Sequence, residues 1–131
     1  MGKRSLKWLY AGWRSYNAVI IEKNRKKILF GGDTAYHELF KPLKDENIDI
    51  AIMPIGAYNP WKKNHCNPEE ALIMADEHIG AKYFIPIHTK TFKQGIEPID
   101  EPLTWLNESI ANYKVELVID DIGKTFTLDS F

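Results

Sequence analysis

The opening of the chain alternates apolar and polar positions in the manner of β-structure, and the remainder switches between short apolar runs and helical spacing. Leu6 to Gly12 is aromatic and apolar, and Tyr16 to Glu22 predicts a strand. Asn24 to Lys26 turns the chain, and Lys27-Ile28-Leu29-Phe30 returns as its partner, although the turn lacks the Asn-Gly pair that most favours a hairpin. After Gly31-Gly32-Asp33-Thr34, the positions Tyr36, Leu39, Phe40 and Leu43 share one helical face, which predicts a first helix to about Lys44. Ile48 to Met53 is a short apolar strand interrupted only by Asp49, and a Gly-, Asn- and Pro-rich loop runs from Ile55 to Asn67.

A second helix starts clearly. Asn67 suits the N-cap, Pro68 the first helical position, and Glu69 and Glu70 the positive helix end. Leu72, Ala75 and Ile79 form its apolar face and Gly80 closes it. Tyr83 to Ile87 is a further buried strand ending at His88. A third helix begins at Asp100 or Glu101, with Pro102 in its first turn and Leu103, Leu106 and Ile110 inward. Val115 to Ile119 and Thr125 to Leu128 are expected as closing strands. A hairpin followed by alternating strands and helices predicts an α/β fold of one domain, residues 1–131, with a mixed sheet and about three helices on one face. The apolar central strands call for cover on both faces of that sheet.

At 131 residues, 44% hydrophobic and 27% charged, the chain has the composition of a globular domain. Its formal net charge of -1 gives no whole-molecule field to hold nucleic acid or an anionic membrane, and no nucleic-acid partner is expected. The basic residues Lys3, Arg4 and Lys7, and the run Asn24-Arg25-Lys26-Lys27, are local, the latter a solvated turn. A single cysteine, Cys66, excludes an internal disulfide. No apolar run reaches the roughly 18 residues of a membrane span. These features lead to the expectation of a cytoplasmic protein without a transmembrane segment.

Two residues stand at equivalent places. Asp33 and His88 each follow a strand and open a loop, and the segment from Pro54 leaves the strand between them at the same edge. Side chains at the C-terminal ends of strands in open α/β sheets face the ligand crevice, and Asp with His forms a plausible metal-ligand pair. The plainer alternatives are that Asp33 or Thr34 caps a helix and that His88 is a hydrogen-bonded structural histidine. His65 in a polar loop could be solvent-exposed only, His78 belongs to surface or packing, and His37 is a weak candidate near Asp33.

The strand-Gly-Gly-Asp33-Thr34-Ala35-Tyr36 segment resembles the Gly-Asp-Thr-Gly-Tyr segment of metallo-β-lactamase-fold hydrolases. Within them the chain is most similar to the group of N-acylphosphatidylethanolamine-hydrolysing phospholipase D and ascorbate-6-phosphate lactonases. Pro54-Ile55-Gly56-Ala57-Tyr58, His65-Cys66-Asn67-Pro68-Glu69-Glu70-Ala71 and Pro86-Ile87-His88-Thr89-Lys90-Thr91-Phe92 resemble that group's later motifs, in order and spacing. The resemblance implies half of an αβ/βα sandwich. It implies Asp33 as a carboxylate bridging two metal ions and His88 as the last histidine ligand of one. His65 would be a catalytic histidine contacting the substrate, and Gly56, Ala57 and Tyr58 would line the substrate pocket. The implied cofactor is Zn2+, with Mn2+ or Fe as alternatives, and the implied reaction is metal-assisted hydrolysis of an ester, lactone or phosphodiester in a small-molecule or lipid-like substrate.

The family's H-x-H-x-D-H signature is absent from this sequence, which has four histidines, His37, His65, His78 and His88. Asp33 and His88 alone fall short of the three protein ligands of a catalytic zinc, so weak metal binding is expected from this chain by itself. One half of the sandwich would also leave an apolar sheet face open. The expectation is therefore a homodimer or a separate N-terminal half covering that face. The alternative to a hydrolase part is an inactive fragment or assembly module that needs such a partner.

Overall fold

The computed structural model of the chain describes residues 18–129. The aromatic and apolar stretch Leu6 to Gly12, and Tyr16 and Asn17 at the start of the first expected strand, lie outside the described residues. Five strands form one mixed sheet in the order β1 (Val19–Lys23), β2 (Lys26–Phe30), β3 (Ile50–Pro54), β4 (Tyr83–Ile87) and β5 (Glu116–Leu117). β1 and β2 pair antiparallel across a two-residue turn, and every other pair is parallel. Asn24 and Arg25 both take left-handed φ values, 50° and 62°, as a primed hairpin turn requires. The turn therefore forms without the Asn-Gly pair.

Alternation across the pleat decides what each strand buries. Ile20, Leu29, Ala51, Met53 and Phe84 join one core with Leu43, Leu72, Ala75, Leu103 and Leu106 from the helical segments, so the helical layer packs on a single face. α1 (Pro68–Ile73) starts as its sequence predicts. The Asn67 side chain accepts the Glu70 N–H at 2.8 Å, and the Glu70 carboxylate accepts the Asn67 N–H at 3.0 Å. The helix runs on as a π-helical turn, Met74–Ile79, and ends at Gly80 with φ 67°. α2 (Glu101–Ser109) buries Leu103 and Leu106 as expected.

Two expected elements are corrected. The predicted first helix to Lys44 is absent: residues 33–39 form a loop, and Lys41–Glu46 is a short 3-10 segment. Pro42 is the physical reason, since its ring has no N–H to give and would clash with the carbonyl four residues back in a continuous helix. Tyr36 and Leu39, on the apolar face of the predicted helix, are accordingly exposed. The second closing strand, Thr125 to Leu128, forms no ladder among the described residues. β5 itself is two residues long, and past Gly123 the chain has no regular structure, with Phe126 resting on Tyr83 at a ring separation of 4.9 Å. Alternating side chains make a segment suited to a sheet, but they do not provide it with an edge.

On the second sheet face Ile21 and Phe30 are exposed, and Val19, Ile28, Ile52, Ile85 and Ile87 are half-buried. Asp49, the polar interruption at the start of β3, is buried, and its carboxylate accepts the Lys27 N–H at 2.9 Å and the Lys82 ammonium at 2.9 Å. Burial pushes its pKa up, but those two donors outweigh it and hold the carboxyl below its usual range. The stabilisation is thus complete at neutral pH and disappears as pH falls from the unfolded value of about 3.9 through the lower folded value. Replacing Asp49 by Ala should cost about 1–3 kcal/mol, mostly from the orphaned Lys27 N–H because Lys82 is largely exposed. Urea unfolding of both proteins at neutral pH and in acid checks this: the gap between them should close in acid.

Candidate metal centre

The parallel register carries β2, β3 and β4 to one edge, and the three loops that leave this edge hold Asp33, His65 and His88. Asp33 lies three residues beyond β2. Its loop is tied to the next by the Cys66 N–H, which donates to the Thr34 carbonyl at 3.0 Å. The Cys66 thiol is buried, donates to the Pro54 carbonyl, and has its pKa pushed up to about 12, first by burial and then by the Glu70 charge, so it takes no part as a thiolate. His88 follows β4 directly with φ 59°, a left-handed conformation that costs a non-glycine residue energy. Its ring Nδ1 lies 3.2 Å from the Gly56 carbonyl. With Nδ1–H donating there, the Nε2 lone pair is left facing Asp33.

Asp33 Oδ1 is 2.9 Å from His65 Nδ1 and 3.4 Å from His88 Nε2. The two rings stack at 5.0 Å with 19° between their planes. One donor atom from each residue falls within 4.8 Å of the others, the one such group of three or more His, Cys, Asp or Glu among the described residues. His65 Nδ1 is buried, and its contact with Asp33 is close without hydrogen-bond alignment, so the nitrogen is left with no hydrogen-bond partner. A buried nitrogen without a partner is costly unless something else satisfies it. One carboxylate oxygen and two imidazole nitrogens suit a divalent cation such as zinc, and the residues present fit one. The Asp33 side chain is 58% exposed, so the cluster is open on its carboxylate side.

Sequence reading placed Asp33 and His88 together and His65 on the substrate. The structure brings a ring nitrogen of His65 to the same point as the donor atoms of Asp33 and His88. Gly56 and Ala57 line a cleft of about 220 Å³ beside His88. Tyr58 departs from its expected place in the pocket: it is buried, its hydroxyl donates to Glu101 at 2.5 Å, and its ring meets Trp105 edge-on at 5.6 Å. Burial, then Glu101, raises its pKa, so it stays a neutral donor and a structural tie. His37 stays outside the cluster, where its Nδ1 accepts the Leu39 N–H and its ring packs on Phe40. His78 is buried against Tyr36. The cleft is also lined by Thr89, Lys90, Phe92, Lys93, Glu97 and Ile99, to which sequence reading gave no role. Their loop has no periodicity, and only its density of lysine and exposed apolar residues was there to find.

Gly56 is a tight backbone constraint at this edge. A Cβ on it would lie 2.1 Å from the His88 carbonyl oxygen. Gly56→Ala should therefore displace His88, cost about 1–3 kcal/mol of stability and weaken zinc binding about 10–100-fold, the range for losing a ligand's outer support. Calorimetric zinc titration of the folded variant is the check, and unchanged affinity would show that His88 is not held through Gly56.

The comparisons with known proteins agree with this architecture. A model of the beta-lactamase superfamily domain matches residues 13–89, more than half of the chain. The N-acyl-phosphatidylethanolamine-hydrolyzing phospholipase D 1 of Caenorhabditis elegans is 35% identical over 104 residues, covering 71% of this chain and 27% of that protein. A novel metallo hydrolase from the hyperthermophilic archaeon Ignicoccus hospitalis superposes with TM-score 0.64 at 20% identity, over 86% of this chain and 46% of that one. A metallo-beta-lactamase fold protein from Bacillus subtilis gives TM-score 0.59 at 18% identity, over 87% and 45%. The chain spans less than half the length of these proteins. It belongs to the beta-lactamase superfamily domain family, its sheet and helices corresponding to about half of a metallo-β-lactamase fold.

Proposed function

We propose that this chain is part of a metal-dependent hydrolase acting on an ester, lactone or phosphodiester. The observation that carries the reading is the meeting of Asp33, His65 and His88 within 4.8 Å at the C-terminal edge of three adjacent strands. Zinc suits the donor set best, with manganese or iron as the alternatives. A divalent cation held there lowers the pKa of bound water toward about 7 and stabilises developing negative charge. Asp33 and His88 serve as its ligands. His88 keeps its Nε2 aimed at the site through the Gly56 carbonyl, and Asp33 brings the negative charge that offsets the cation. His65 presents Nδ1 to the same point, within reach of the cation and of a substrate oxygen held beside it. Gly56 and Ala57 form the wall on which the substrate rests. The similarity to a phospholipase D favours a phosphodiester among the three bond types.

The exposed Ile21 and Phe30, and the half-buried isoleucines beside them, call for a covering layer. We assign that layer to a second copy or to a separate segment with the other half of the fold, which would also complete the ligand set. Three donors match a single catalytic zinc with an open fourth position, but a two-metal hydrolytic site needs more.

Zinc titration should show binding that Asp33→Ala and His88→Ala each abolish, whereas an unchanged isotherm in both variants would remove the metal site. Light scattering on the wild-type chain should give a dimer or larger species at micromolar concentration. Hydrolysis of bis(p-nitrophenyl) phosphate should rise when a protein segment carrying H-x-H-x-D-H is added, and His65→Ala should lower that rate by about 10²-fold or more. A complemented enzyme indifferent to His65 would rule out its role at the reacting centre.

A further inference from the structure

The two loops that flank the metal centre are alike in composition. Residues 59–66 and 89–96 contain Lys62, Lys63, Lys90 and Lys93 and no acidic residue. All four lysines are exposed, and none has an ion-pair partner among the described residues. The same loops expose Trp61, Phe92 and Ile96, at 51%, 76% and 68%. The Ile96 N–H donates to the Asn59 carbonyl at 2.8 Å, joining the two loops into one rim. Phe92, Lys90 and Lys93 line the cleft that opens beside His88. Exposed apolar side chains scattered singly mean little, but here they cluster with Lys62, Lys63 and Lys93 around the mouth of a site, while Lys90 lies near enough to Asp120 to hold its carboxyl below the usual range.

Resting on the hydrolase reading above, we propose that this rim docks the protein on an anionic lipid surface, which delivers amphiphilic substrate to the metal centre. Trp61, Phe92 and Ile96 enter the boundary between headgroups and acyl chains, and the lysines meet the anionic headgroups. Tryptophan with lysine is the pairing that suits a membrane–water interface. The net charge of -1 gives no attraction at long range, so attraction is confined to this edge and holds the cleft facing the surface. A nucleic acid would use the lysines, but an aliphatic Ile96 offers no stacking face, and the lipid surface accounts for both residue types.

Sedimentation of the full chain with phosphatidylcholine vesicles, with and without phosphatidylserine, tests this. Binding is expected on the mixed vesicles only and should weaken as salt rises. Each Lys→Gln change at Lys62, Lys63 or Lys93 should reduce it about five-fold, and Phe92→Ser with Ile96→Ser should reduce it about ten-fold or more. Lys26→Gln at the opposite end of the sheet should leave it unchanged. Zinc titration of the same proteins separates the two claims. Vesicle binding lost in the rim variants while zinc affinity persists supports the docking surface. Wild-type zinc binding with no vesicle binding overturns it and leaves the hydrolase reading intact. Vesicle binding with no zinc binding overturns the hydrolase reading, and with it the delivery of substrate. Binding that ignores the rim variants, preference for single-stranded RNA, or oligomers that Phe92→Ser dissolves would each overturn the docking.

Discussion

The approach of Gly56 to His88 is the contact on which the rest of the candidate site depends. The two backbones come so near that no Cβ fits between them, and the Gly56 carbonyl lies 3.2 Å from the ring Nδ1 of His88. That closeness follows from β3 and β4 running parallel in register through Pro54 and Ile87, so that both loops leave from the same level of the sheet. His88 in turn holds a left-handed backbone conformation, a cost that the surrounding structure must offset. Packing below the edge provides the support: Ile55, Met53 and Phe84 are fully buried beneath it.

The edge and the second sheet face pose different physical problems. At the edge, polar groups lack partners: His65 Nδ1 is buried without a hydrogen bond, and Asp33 has an exposed carboxylate close to two imidazoles. A cation answers both. On the second face, Ile21 and Phe30 are apolar groups left exposed among the described residues.

The α-helical starts were the most legible part of the sequence because they are local. Asn67, Pro68 and Glu70 fix the start of α1 through bonds spanning three residues, and Gly80 fixes its end. The central strands were legible because their residues are apolar on both faces, which leaves a continuous apolar run. The loop after Asp33 was misread, since helical spacing of Tyr36, Leu39 and Phe40 says nothing of Pro42 unless the proline is weighed against it. Tyr58 was misplaced for a related reason. Its neighbours Gly56 and Ala57 do line the cleft, but its hydroxyl partner Glu101 stands 43 residues away, beyond any local signal.

By itself the sequence determined the α/β class, the strand ends on which Asp33 and His88 stand, and a family resemblance strong enough to imply a metal site. Each depends on patterns within a few residues or on motifs in a fixed order. Tertiary structure alone decided that His65 joins the donors, that Tyr58 turns away, and that the Lys62–Lys63 and Lys90–Lys93 loops form one rim. These outcomes depend on where separate loops meet in space, and that is set by the register of parallel strands whose contacts bridge tens of residues.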